Sequence, residues 1–95
     1  MASKKIINTD LFNVGNTNVE YTSILYVEGK KQDFNAYIKQ NGIQVGIFMY
    51  KTAEQFHYSY NNPESVPDQD KETILTTLLS NKEKFNRELQ SLTTE

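Results

Sequence analysis

The sequence predicts an α+β fold: a four-stranded antiparallel meander packed on one C-terminal helix, with a short N-terminal segment docked on the sheet. Three observations carry this reading. Residues 32–50 alternate apolar and polar side chains on both sides of an Asn41-Gly42 pair, and a period of two marks a strand with one buried face. Asn-Gly favours a two-residue hairpin, because a type I′ turn needs φ > 0 at both central positions. Further on, Ile74, Leu75, Leu78, Leu79, Phe85, Leu89 and Leu92 recur with helical period. A sheet and a helix that each have one apolar side bury it against one another.

The chain in order gives a single domain over residues 1–95: an N-terminal segment (1–18), an antiparallel sheet (19–60) and a helix (66–92). In the first segment two apolar pairs, Ile6-Ile7 and Leu11-Phe12, flank Asn8-Thr9-Asp10, and residues 14–18 are turn-like. It reads as an edge strand or as a helical turn capped by Thr9 or Asp10. Residues 19–27 are rich in β-formers. With Gly29-Lys30 as the next two-residue loop, Leu25 faces Phe34, Ser23 faces Ala36 and Tyr21 faces Ile38. With Asn41-Gly42 as the following loop, Ile38 faces Val45, Ala36 faces Ile47 and Phe34 faces Met49, all on the helix side.

A weaker turn at Lys51-Thr52-Ala53-Glu54 brings Phe56, Tyr58 and Tyr60 to that side, with His57 and Ser59 opposite. Gly46 is expected to face Tyr37, whose ring would cover its bare backbone. Asn61-Asn62-Pro63 ends the sheet. Ser65 with Asp68 resembles a capping box, Asp68 is an alternative N-cap, and the acidic residues Asp68, Asp70 and Glu72 suit the positive end of the helix dipole. Lys82 interrupts the apolar stripe and is expected to bend the helix away or to snorkel. Thr93-Thr94-Glu95 should fray.

Composition narrows the function. Ten basic residues stand against twelve acidic ones, and nine of the ten are Lys. Sequence-reading DNA-binding proteins favour the arginine fork, which this chain offers only at Arg87. The chain has no Cys, which removes disulfides, thiol catalysis and zinc–thiolate sites. No apolar run approaches a membrane span or the core of a signal peptide, so a cytoplasmic protein without membrane contact is expected. Abundant Asn and Lys, both with AT-rich codons, fit a low-GC bacterium or its phages and plasmids.

Chemistry-bearing motifs are sparse. His57 is the single histidine; a triad would need an orienting carboxylate and a nucleophile beside it, and a strand histidine among aromatics is more often a surface or packing residue. The acidic stretch around Glu64, Asp68, Asp70 and Glu72 lacks the glycine and the terminal glutamate of an EF-hand loop. The four glycines form no phosphate-binding pattern. No catalytic residue, metal site or cofactor is expected.

The expected register leaves Tyr26, Tyr37, Phe48, Tyr50 and His57, with Asn35, Lys39 and Gln44, on the face away from the helix. A solvated face would carry Thr, Lys and Glu instead. Three readings account for it: the N-terminal segment folds over the face as a second small core; the face is a homodimer or heteromer interface; or it is a stacking platform for single-stranded nucleic acid.

The preferred expectation is a non-enzymatic protein-binding module acting through Tyr37, Phe48, Tyr50, His57, Tyr26 and Lys39. Its partner would be a host protein or a second copy of the chain. A phage- or mobile-element-encoded inhibitor of a host or defence protein is its specialised form. The alternative is single-strand binding with Lys31, Lys39 and Lys51 on phosphates. Four strands followed by one long helix resemble the layout of PC4-like single-stranded-DNA-binding domains, which are dimeric; the likeness is one of layout and implies no residue roles. The net charge of −2 weighs against it.

Overall fold

In the computed structural model, which describes residues 4–52 and 56–92, the strands follow one another as an antiparallel meander. They are β1 (Lys5–Val14), β2 (Thr17–Tyr26), β3 (Lys31–Gln40), β4 (Ile43–Lys51) and β5 (His57–Tyr60), neighbours in that order. A 3-10 turn at Pro63–Ser65 leads to the helix α1 (Asp68–Ser91), which lies over one face of the sheet, closest to β2 and β3. This is the α+β architecture expected from the alternation and the helical stripe. The N-terminal segment docks as the fifth strand, pairing with β2 from Lys5↔Tyr26 to Val14↔Thr17. It therefore widens the sheet at its edge and does not cover the face away from the helix.

Asn41 (φ 52°) and Gly42 (φ 78°) form the expected turn, with Gln40 opposite Ile43 and Lys39 opposite Gln44. The β2–β3 connection is longer than expected. Four residues, Val27 to Lys30, separate Tyr26 from its partner Lys31, so Leu25 faces Gln32, Ser23 faces Phe34 and Tyr21 faces Ala36. A two-residue shift keeps every side chain on its face. The extra length has a use. Lys30, at φ 52°, donates from Nζ to the carbonyl oxygens of Leu89 (2.9 Å) and Leu92. The Leu89 carbonyl also accepts from Leu92 N–H at 3.2 Å; carbonyls of a final helical turn lack the usual i+4 donors, and a cation there also meets the negative end of the dipole.

The larger correction concerns β4. Ile38 pairs with Gly46 while Lys39 pairs with Gln44, so Val45 is an extra residue, a β-bulge. From there on, each β4 side chain sits on the opposite face from the one expected. Phe48 and Tyr50 point to the helix, and Ile47 and Met49 point away. Phe48 is fully buried, edge-on to Phe34 with centroids 5.9 Å apart and 6.0 Å from Tyr58. Burying a phenyl ring removes more apolar surface from water than burying a half-exposed thioether, which favours the bulged register. Gly46, now on the helix side, lies under Tyr60 rather than Tyr37: a Cβ there would come within 2.7 Å of the Tyr60 ring. Tyr58 and Tyr60 face the core as expected, opposite Phe48 and Gly46. Phe56 is half exposed, its ring 5.3 Å from Phe48. The turn expected at residues 51–54 falls partly, and the frayed end at 93–95 wholly, outside the described residues.

The core joins Tyr21, Phe34 and Phe85, whose centroids lie 5.5–6.5 Å apart, to fully buried Leu25, Ile38, Ile74, Leu78 and Leu89. Leu79 is the member of the stripe left exposed. Lys82 snorkels: its Nζ stands 4.2 Å above the Tyr50 ring, a cation–π contact. The carbonyl of Lys82 accepts from Nε2 of the fully buried Gln32 at 3.3 Å. At the other end of α1 neither expected cap forms. Pro67 occupies the N-cap position and Ser65 Oγ donates to the Asn62 carbonyl (2.8 Å), while Asp68 and Asp70 sit in the first turn as expected. The fixed φ of proline pre-sets the chain for helix entry without a side-chain cap.

Two predictions test this packing. Phe48→Ala should cost ~3–5 kcal/mol, as for a buried ring replaced by a cavity, and Met49→Ala less than ~0.5 kcal/mol, as for a surface site; urea denaturation measures both, and comparable losses would refute the bulged register. The second concerns Tyr60, whose hydroxyl lies 2.8 Å from that of Tyr58, which in turn donates to the Lys71 carbonyl (3.4 Å). Burial first, and then donation to Tyr58, raise the Tyr60 pKa above the ordinary value of 10.0. Folding thus holds the phenol proton more tightly than the unfolded chain does, so this stability is intact below pH 10 and falls as pH rises further. Alkaline titration of the melting temperature should show a decline starting near that pH, and a smaller decline in Tyr60→Phe.

Candidate functional site: the open face of the sheet

The bulge and the registers together decide what the face away from α1 presents. Strand alternation brings its side chains into rows across the sheet. One row runs Ile7, Ile24, Asp33, Lys51; the next Thr9, Thr22, Asn35, Met49, His57; the next Leu11, Glu20, Tyr37, Ile47, Ser59. Lys5, Tyr26 and Lys31 close one end, and Asn13, Asn18, Lys39 and Gln44 the other. Leu11 (58% exposed), Ile7 (56%), Tyr37 (42%) and Met49 (36%) stand in solvent, with Ile24, Tyr26 and Ile47 half-buried between them.

Polar groups frame this surface. Lys39 Nζ lies 3.4 Å from Glu20 Oε1, and the Tyr26 hydroxyl donates to Asp33 Oδ2 at 3.3 Å. Asn18 donates its side-chain amide to the side-chain oxygen of Asn13, and the hydroxyls of Thr9 and Thr22 are 3.4 Å apart. In the middle, the side-chain oxygen of Asn35 is shielded from solvent without a donor. Among the described residues, the strands put four lysines on this face, Lys5, Lys31, Lys39 and Lys51, against two carboxylates, Glu20 and Asp33. The chain as a whole has two more acidic than basic residues. The described part of the open face is thus net positive on a chain that is net negative.

Of the six residues singled out from the sequence, the structure places Tyr37, Tyr26, Lys39 and His57 on this face. Phe48 and Tyr50 are not there: the bulge turns both toward α1, where Phe48 is sealed in the core and Tyr50 lies under Lys82. Their places are taken by Ile47 and Met49. His57 sits at the margin, on the last strand, with Nε2 3.1 Å from Ser59 Oγ. Among the described residues, no three His, Asp or Glu side chains are grouped so as to hold a metal ion. Ile7, Leu11 and Ile24 were missed as face residues. The Ile7, Thr9, Leu11 alternation was the signal, and it needed the Gly15-Asn16 turn to be recognised as a two-residue hairpin.

A shallow concavity elsewhere, lined by Gln69, Glu72, Thr73, Thr76 and Thr77, lies on the solvent side of α1. The Thr73 and Thr77 hydroxyls there donate to the helix's own carbonyls at 3.1 and 2.7 Å, so they are engaged already. Among the described residues no helix is long and apolar enough to cross a membrane. Comparison with protein-family models, with curated proteins and with solved structures finds no match.

Proposed function

We propose that the chain is a protein-binding module whose open sheet face docks on a partner with an apolar patch bordered by acidic residues. The observation that carries this is the apolar content of one exposed sheet face, Ile7 beside Ile24 and Tyr37 beside Ile47 and Met49, with Leu11 on the edge strand, interspersed with Thr9, Thr22 and Asn35 and bordered by lysines. Exposed apolar patches rimmed by polar groups mark interaction sites, and Tyr and Met are enriched at the centres of such patches. The bordering lysines supply steering toward an acidic partner. The side chains at the centre bind by occupying area, so the effect on a partner is to mask or bridge it; inhibition of a host or defence protein is the specialised form of that reading.

A second reading, single-stranded nucleic acid, has one observation in its favour. Lys31, Lys39 and Lys51, read from the sequence as phosphate contacts, do share the open face with Tyr26 and Tyr37. Stacking platforms combine such aromatics with a basic track. Lys39 is already paired with Glu20, which lowers the charge available.

In pull-downs, the double variant Tyr37→Lys, Met49→Lys should lose the proteins that the unmodified chain retains, while Thr76→Lys on the far side of α1 keeps them; retention by both variants alike would end the assignment. A fluorescent single strand titrated at low and high salt addresses the second reading. That reading requires binding that falls steeply with salt, and a flat low-salt titration dismisses it.

A further inference from the structure

The sheet has two edges, and they differ. The β5 edge is four residues long and ends at Asn61, Asn62 and Pro63, which fits the usual way of blunting an edge by keeping it short. The β1 edge is ten residues long and contains no proline. Its hydrogen-bonding direction can be read from two contacts. The Lys4 carbonyl accepts from Val27 N–H at 3.1 Å, so even-numbered residues of β1 bond to β2. Odd-numbered residues therefore turn their N–H and C=O groups outward. Leu11 N–H agrees with this: it points away from β2 and is held by Oδ1 of its neighbour Asp10 at 2.8 Å.

The side chains of this strand read almost the same in both directions about Thr9. Ile6-Ile7 precede Asn8-Thr9-Asp10, and Leu11-Phe12 follow. From this symmetry we infer that β1 pairs antiparallel with β1 of a second copy, about a two-fold axis through Thr9, to give one continuous ten-stranded sheet. In that register Thr9 meets Thr9 of the second copy, Ile7 meets Leu11, and Lys5 meets Asn13. These are odd-numbered pairs, the ones whose backbone groups point outward. The even-numbered pairs fall into place beside them: Ile6 meets Phe12 on the helix side, and Asn8 meets Asp10.

A register two residues longer or shorter would keep the backbone bonds but set Ile7 or Leu11 against Thr9. The apolar pairs therefore select the Thr9-centred one. Ile7 and Leu11, the two most exposed apolar residues of the open face, then lie side by side across the junction. The contact of Asp10 with Leu11 N–H must open for the strands to zip, and the Asp10 carboxylate then accepts from the amide of Asn8 in the second copy. Displacing that charge-assisted bond keeps the association reversible and concentration-dependent.

The inference concerns an edge, not the open face, and its test separates the two. Light scattering across the micromolar to millimolar range should show a reversible monomer–dimer equilibrium. Thr9→Pro should abolish the dimer while leaving the circular dichroism spectrum unchanged, because the N–H it removes makes no bond to β2. The chain has no cysteine, so single cysteines report the register directly. In an antiparallel hydrogen-bonded pair the Cα atoms are ~5.5 Å apart, within disulfide reach; Thr9→Cys should oxidise to a covalent dimer. Ile7→Cys should not, since the two copies of position 7 lie four residues out of step, about 13 Å apart. A chain that stays monomeric at millimolar concentration overturns the inference. So does a dimer that survives Thr9→Pro and is broken by Tyr37→Lys with Met49→Lys, or equal crosslinking at positions 7 and 9.

Discussion

The one residue that β4 carries in excess of its partner strand decides what this protein keeps inside and what it shows. Without Val45 as a bulge, Ile47 and Met49 would meet the helix, and Phe48 and Tyr50 would stand in water. With it, Phe48 links the rings of Tyr21 and Phe34 to those of Tyr58 and Tyr60. Val45 itself stays buried, so the extra residue opens no gap. Gly46 follows from the same geometry. Once the strand has shifted, the position opposite Ile38 lies beneath Tyr60, and only a residue without a side chain fits. The bulge, the glycine and the tyrosine ring are one packing solution, and no one of them can change without the other two.

Much of the architecture was legible because local signals agreed with each other. Asn41-Gly42 demanded left-handed backbone at two adjacent residues and received it. The helical stripe named Ile74, Leu78, Phe85 and Leu89, all of which are buried. The faces of β2 and β3 were read correctly even though the β2–β3 register was off by two, because alternation is blind to even shifts. The failure in β4 has the opposite cause. A bulge is an odd shift, and a strict period of two assigns every residue beyond it to the wrong side. Gly46 was the available clue, since an interior strand glycine often marks a bulge or a close approach. The reading that paired it with Tyr37 preserved an apolar-looking Ile47 and Met49 at the expense of Phe48. The candidate site inherited that error at Phe48 and Tyr50 and escaped it at Tyr26, Tyr37 and Lys39, which lie on strands without a bulge.

The open face and the β1 edge meet along Ile7 and Leu11. Pairing at the edge would place two open faces side by side in one plane, with Ile7 and Leu11 of each copy meeting at the seam, Lys5 beside them, and Lys31, Lys39 and Lys51 farther out. A partner carrying two copies of the matching surface would then be held twice. Retention by two linked sites can exceed that of either alone by orders of magnitude without any new contact.

Lys30 gives the fold a further property. Its ammonium group holds the carbonyl of Leu89 in the last turn of α1 and that of the C-cap Leu92, 59 and 62 positions away along the chain, so the tip of the β2–β3 hairpin and the end of the helix are fastened at one point. Closing a loop of that length carries an entropic cost that grows only slowly with size, by about 0.6 kcal/mol per doubling. A single partly buried charge-assisted contact, typically 0.3–1 and up to about 2 kcal/mol at a helix terminus, offsets a useful part of it. Loss of that one contact releases the hairpin tip and the end of the helix at once, although one lies in a β-turn and the other in a helix.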